Sequence, residues 1–144
     1  MMKIEGCEEL YANKEKLWSF LSNPEKVVGC FPGVVSWNVE NGIIKAKVKA
    51  GIGFIKGTFD STVQIINNDE IAKKATLRLQ GSSNMGNFVA DVSIYLKDEG
   101  GKKLVCYSSD AKVSGTISTL PSTIIGNTVK KMVKEFLECT QKKV

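Results

Sequence analysis

The sequence predicts an α+β fold in which a curved antiparallel sheet of about seven strands wraps around one long C-terminal helix. Two observations carry this prediction. From Val34 to Val113 apolar and polar residues alternate with a period of two, which is typical of strands with one buried face. After Gly115 the apolar period becomes 3.6 and holds for about five helical turns. A one-faced sheet needs a cover, and only this helix is long enough to provide it.

The segment before the sheet predicts one strand and two short helices. Residues 3 to 11 form the strand, and Asn13 has the side chain of an N-cap for a first helix containing Leu17 and Trp18. Pro24 suits the first turn of a second short helix that runs through Cys30. The Phe31-Pro32-Gly33 segment ends it.

The strands are separated by turn signals, of which Asn41-Gly42 is the strongest because a type I′ hairpin turn needs positive φ at both central residues. Counting alternate residues from these turns places apolar side chains on one face of each strand. The residues expected to face inward are Ile44, Ala46, Val48, Ala50, Ile55, Gly57, Phe59, Val63, Ile65, Ala75, Leu77, Leu79, Phe88, Ala90, Val92, Ile94, Leu96, Val105, Tyr107, Ser109, Ala111 and Val113.

The length and composition predict one domain over residues 1–144 and exclude several chemistries. The chain has 144 residues and contains no histidine. A Ser/His/Asp or Cys/His catalytic unit and a His-ligated metal site are therefore excluded, and we expect neither a metal nor a cofactor. The net charge is +5, but Arg78 is the only arginine among 20 basic residues. Nucleic-acid recognition favours arginine, so the sequence indicates a solvated basic surface and no nucleic-acid partner.

The four cysteines are far apart in the sequence and form no Cys-x-x-Cys motif. We therefore expect free thiols, Cys7, Cys30, Cys106 and Cys139. Reduced cysteines, together with the absence of a signal-like N-terminus or a long apolar window, predict a cytoplasmic location.

Four short motifs along the chain resemble the carbon monoxide dehydrogenase CoxG family, within the START-like SRPBCC superfamily. They are Met2-Lys3-Ile4-Glu5-Gly6, Lys14-Glu15-Lys16-Leu17-Trp18, Cys30-Phe31-Pro32-Gly33 and Gly53-Phe54-Ile55-Lys56-Gly57-Thr58-Phe59. Their order and spacing match the family over nearly the whole chain. Two positions depart from the family pattern: Phe54 replaces a usual proline, and Glu8 lies where an apolar residue is common.

The resemblance implies a helix-grip (START-like) ligand-binding domain that holds a hydrophobic small molecule, such as a lipid or a quinone, between sheet and helix. It also implies an accessory role beside a molybdenum carbon monoxide dehydrogenase, helping to dock that enzyme at the inner face of the membrane. Small inward residues leave apolar volume for a cavity, whereas full packing by aromatic side chains is the alternative. The residues expected to line the cavity are Phe54, Phe59, Leu77, Phe88, Val92, Tyr107, Ser109, Ile124, Thr128 and Met132.

An enzyme of cyclase or hydratase type is the alternative function, and it would use Tyr107 and Glu8. Such an enzyme needs an acid and a base facing one pocket. Asp60, Asp91 and Asp110 all fall on the outward parity, so we expect a binder without catalytic residues.

The C-terminal segment offers a further interpretation. From Lys130 onward an amphipathic helix carries five lysines and two glutamates, which suits either a peripheral membrane contact or the solvated face of a core helix.

Overall fold

The computed structural model describes residues 2–144, and their order of elements confirms the predicted fold class. The strands are β1 (Met2–Leu10), β2 (Val34–Glu40), β3 (Ile43–Ile52), β4 (Ile55–Asp69), β5 (Lys74–Ser83), β6 (Gly86–Glu99) and β7 (Lys102–Ser114). The helices are α1 (Lys14–Leu21), α2 (Pro24–Val28) and α3 (Ser122–Lys143), and a 3₁₀ turn at Gly115–Thr119 leads into α3.

The seven strands form one antiparallel sheet in the order β1-β7-β6-β5-β4-β3-β2. Strands β2 to β7 are joined by consecutive hairpins, and β1 returns to the free side of β7. At the first of these hairpins Asn41 and Gly42 both have positive φ, as the predicted turn requires. The register places Leu77 opposite Val92 and Val92 opposite Ser109, so the predicted inward residues share one face.

This topology gives the sheet two unlike ends. The β3–β4 turn, the β5–β6 turn and the start of α3 lie together at one end, which we call the hairpin end. There the Ile117 amide donates to the Met85 carbonyl at 3.0 Å. The other end carries the β2–β3, β4–β5 and β6–β7 turns and α1, and we call it the α1 end.

Local sequence signals account for the helix boundaries. The side chains of Asn13 and Asn23 accept hydrogen bonds from the first free backbone amides of α1 and α2, which are otherwise without partners. Pro24 occupies the first turn of α2, where a missing amide costs nothing. Pro121 precedes α3 and does not enter it.

At the α1 end, α1 is tied to the sheet by two ion pairs. The Lys73 ammonium lies 3.0 Å from a carboxylate oxygen of Glu15, and Lys14 lies 3.3 Å from Asp98. Lys73 is buried, and it takes a positive φ in the turn between β4 and β5. The β4–β5 turn therefore packs under α1.

Two disulfides correct the prediction of free thiols, which is wrong. Cys7 bonds to Cys106, its direct partner across β1 and β7, and Cys30 at the end of α2 bonds to Cys139 in α3. The pairs are 99 and 109 residues apart in sequence, so only the strand pairing and the helix packing bring them together. The cytoplasmic prediction used free thiols as an argument, and it loses that argument.

Candidate ligand-binding site

The core under the sheet is divided into two separate clusters. The cluster at the hairpin end contains Ile55, Phe59, Ile117, Leu120 and Ile125. The cluster at the α1 end contains Leu10, Leu17, Val105 and Leu137. Helix α3 contributes Ile125 near its start to the first and Leu137 near its end to the second, so it joins the two.

Between these clusters the concave face of the sheet is apolar but only partly covered. Its central side chains point to the same side as the buried core residues, yet all are half-buried: Val48, Val63, Ile65, Leu77, Leu79 and Val92. A filled interior would bury such side chains almost completely. The backbone of α3 packs against β1 and β3, which lie towards opposite edges of the sheet. This arrangement leaves an apolar surface accessible beneath the helix.

A cleft of about 180 Å³ opens between α3 and the end of β3. Ala50 reaches it from the concave face, and Thr128 and Met132 reach it from α3. Pro32, Gly33, Lys49, Gly51, Lys131 and Glu135 complete its lining. The cleft therefore connects the sheet–helix interface to solvent through a charged rim.

Tyr107 supplies the main polar group on the concave face. The residue is 7% exposed, and its hydroxyl makes no hydrogen bond to another side chain or backbone group in residues 2–144. Its ring lies across Gly6 of β1, where an added Cβ would come 2.8 Å from the hydroxyl oxygen. Burial raises the pKa of Tyr107, and the negative charge of Glu8 adds to that effect. The phenol therefore stays protonated and is available as a hydrogen-bond donor.

The structure brings together most of the residues predicted to line the site. Leu77 and Val92 are half-buried neighbours on the concave face, and Tyr107 and Ser109 are buried on the adjacent strand. Thr128 and Met132 border the cleft. The Thr128 hydroxyl donates to the Ile124 carbonyl of its own helix at 2.9 Å, so its hydrogen is already used.

Four predicted residues lie elsewhere. Phe59 and Phe88 pack in or against the hairpin-end cluster, with ring centroids 6.0 Å apart, and so they close that end. Ile124 is partly exposed on α3, and Phe54 lies at the tip of the β3–β4 hairpin with 77% of its surface exposed. The structure does not bring Phe54 to the concave face, because it occupies the turn itself.

Sequence reasoning missed the rim of the cleft and one buried polar atom. The Pro32-Gly33 pair marked a turn, but nothing in the sequence indicated that this turn faces α3. Trp18 is buried, and its Nε1 has no hydrogen-bond partner among residues 2–144. That orphan donor follows from packing alone, so a sequence pattern could not reveal it.

The remaining acidic groups do not converge on the concave face. Asp60, Asp91 and Asp110 are exposed on the convex side, as predicted, and Asp91 forms an ion pair with Arg78 at 2.9 Å. Within residues 2–144 no three His, Cys, Asp or Glu side chains are grouped so that they could hold a metal ion. In the same part of the chain, no helix has the length and apolar character needed to cross a bilayer.

Solved structures share this fold over their whole length. A conserved protein from Geobacillus kaustophilus aligns with a TM-score of 0.88 at 23% identity, covering 99% of this chain and 94% of that one. A START superfamily protein from Mycobacterium smegmatis aligns at 0.69 and 14% identity, covering 100% and 97%. The protein XoxI from Bacillus cereus aligns at 0.69 and 11% identity, covering 99% and 95%. At these identities the likeness shows the fold alone, which is START-like.

Sequence comparison supplies the family. A search of curated proteins finds no significant relative. The model of the carbon monoxide dehydrogenase CoxG family, however, matches residues 6–144. Because that match spans nearly the whole chain, this protein belongs to the carbon monoxide dehydrogenase CoxG family.

Proposed function

We propose that the chain is a single ligand-binding domain that carries a hydrophobic small molecule, lipid or quinone-like, on its concave face without transforming it. The observation that carries the proposal is the set of half-buried apolar residues between the two core clusters, represented by Leu77 and Val92. Apolar side chains that remain accessible inside a fold gain stability from an apolar partner.

Tyr107 is the proposed anchor for the polar part of the ligand. Its protonated hydroxyl is a donor without a protein partner in residues 2–144, and a carbonyl oxygen of a quinone or an ester is a matching acceptor. Ser109, two residues further along β7 on the same face, offers a second hydroxyl. One or two polar groups on an apolar surface are typical of sites that fix the orientation of such ligands.

The cleft between α3 and β3 is the proposed entry route. Its volume of about 180 Å³ is below the roughly 300–1,000 Å³ of sites that enclose drug-sized ligands. A lipid-sized molecule therefore requires α3 to move away from β3. Such a movement leaves both ends of the helix packed in their clusters, since Ile125 and Leu137 lie outside the cleft.

The enzyme alternative has less support from the geometry. Tyr107 lies near Glu8, but its raised pKa makes the phenolate scarce at neutral pH. Asp60, Asp91 and Asp110 are exposed on the other side of the sheet. The arrangement suits hydrogen bonding to a bound molecule better than proton transfer.

Membership of the family suggests the partner. We propose that the carrier serves a molybdenum carbon monoxide dehydrogenase or a related hydroxylase at the membrane surface, on the cytoplasmic side. Copurification of such an enzyme with the tagged protein, when both are expressed together, tests the partner. Alkylation of thiols in intact cells before lysis tests the compartment, because cytoplasmic reductants keep cysteines reduced.

Val92→Asn should weaken binding of a short-chain quinone about tenfold, because it places a polar amide on the apolar surface. Ser93→Asn is the matched control, since the neighbouring side chain points to the convex side and should leave affinity unchanged. Quenching of tryptophan fluorescence measures the affinity, and native mass spectrometry detects a copurified ligand. Equal affinities for the two variants would contradict the proposed site.

Tyr107→Phe should weaken binding of the same quinone about fivefold, because it removes one hydrogen bond and keeps the ring. The wild type should bind equally well from neutral pH to about pH 10, because the raised pKa keeps the donor protonated. Ser108→Ala, at the preceding position on the opposite face, is the control. Unchanged affinity in Tyr107→Phe would remove the anchor from the proposal but not the apolar site.

A further inference from the structure

The tip of the β3–β4 hairpin presents an aromatic side chain to solvent. Phe54 is 77% exposed, and Ile124 at the start of α3 is also exposed. The two residues belong to one patch, because a Cβ added to Gly53 would lie 3.3 Å from the Cγ2 atom of Ile124. Large apolar side chains at such a tip contribute little to the core, so their exposure needs another explanation.

The surroundings of this tip carry only positive charge. Residues 41–59 contain Lys45, Lys47, Lys49 and Lys56 and no acidic residue. Residues 111–134, which lead into and through most of α3, contain four lysines and no acidic residue. Lys49 and Lys131 meet at the cleft beside the tip. The hairpin end therefore combines an apolar point with a basic collar.

The opposite end of the sheet has the reverse character. Its β4–β5 turn also exposes an apolar residue, Ile71, at 97%. That residue follows Asp69 and Glu70, and Asp98 and Glu99 lie in the β6–β7 turn at the same end. The molecule is thus electrically polar along its strands, and only the hairpin end suits an anionic surface.

We propose that the hairpin end docks on an anionic lipid bilayer, with Phe54 entering the headgroup region and Lys49, Lys56 and Lys131 contacting lipid phosphates. A protruding tip of this kind offers far less area than the roughly 800 Å² per partner of a stable protein interface. A bilayer yields around an inserted side chain, and basic groups beside it add attraction to anionic lipids.

This docking places the cleft at the membrane surface. Gly51 in the cleft lining is three residues from Phe54, and Lys131 lies on the same rim. An apolar ligand could then pass between bilayer and concave face without crossing water. This consequence rests on the proposed carrier function, whereas the docking itself does not.

The test measures binding of the full chain to phosphatidylcholine vesicles with and without phosphatidylglycerol, by flotation. We expect binding only to the anionic vesicles, about tenfold weaker for Phe54→Ser and about fivefold weaker for Lys56→Gln. Ile71→Ser is the matched control and should bind as the wild type does. Since Phe54 and Lys56 are both exposed, thermal unfolding should be unchanged in these variants.

Several results would overturn the docking proposal. These are equal binding to neutral vesicles, wild-type binding by Phe54→Ser, or loss of binding on removing residues 140–144 alone. Light scattering that shows a dimer dependent on Phe54, with no vesicle binding, would assign the tip to a protein contact instead. Quinone quenching in the same variants separates the two proposals, because docking can fail while ligand binding persists, and the reverse.

Discussion

Removing the Cys30–Cys139 disulfide should lower the free energy of unfolding by about 4 kcal/mol. The bond joins residues 109 apart and so restricts a large part of the unfolded chain. It also fixes the end of α2 to α3, close to the contact of Phe31 with Phe136, whose ring centroids are 5.3 Å apart. For a chain of this size the loss corresponds to a fall in Tm on the order of 10 °C.

The measurement is thermal unfolding of the wild type and of the double variant Cys30→Ser/Cys139→Ser, each with and without dithiothreitol. The reductant should lower the Tm of the wild type and, through Cys7–Cys106, that of the variant by a further amount. Mass spectrometry after alkylation counts the bonds directly. A wild-type protein whose Tm ignores the reductant, and whose thiols all react without it, would contradict both disulfides.

Gly33→Ala should destabilise the protein by about 3 kcal/mol. Gly33 has a φ of +83°, and an added Cβ would overlap the backbone carbonyl oxygen of Lys49. The same two residues are joined by a hydrogen bond in which the Lys49 amide donates to the Gly33 carbonyl at 2.8 Å. The strain therefore falls on the attachment of the Pro32-Gly33 turn to β3, at the rim of the cleft.

Gly42→Ala provides the matched control for this prediction. Its φ of +77° is similar, but an added Cβ would meet no atom within 4 Å. Only the backbone strain remains, and we expect a loss of about 1 kcal/mol. Urea unfolding of the two variants measures the difference. Equal losses would show that the turn moves away from Lys49 without cost, and the tight attachment would be refuted.

Much of the fold could be predicted because it depends on local repetition. The alternation on β3 from Ile44 to Ala50 fixed which side chains point inward, since successive residues of a strand face opposite sides. Asn41-Gly42 fixed a hairpin, and Asn13 fixed the start of α1. These signals operate within a few residues, so a sequence displays them.

The candidate site was predictable only in part. Parity placed Leu77, Val92 and Tyr107 on one face, but parity does not say how far along a strand the helix covers that face. The same limit explains Phe54, which had inward-facing neighbours on both sides and yet occupies the turn. Coverage is decided by where α3 crosses the sheet, and no local pattern encodes that crossing.

By itself, the sequence determined the order of elements, the apolar face of each strand, the absence of histidine chemistry and the family resemblance. Tertiary structure alone decided three other features: the pairing of Cys7 with Cys106 and of Cys30 with Cys139, the uncovered middle of the concave face, and the separation of a basic apolar tip from an acidic end. The physical reason is the same in each case. These features depend on contacts between residues far apart in the chain, and such contacts exist only after the strands have paired and α3 has packed.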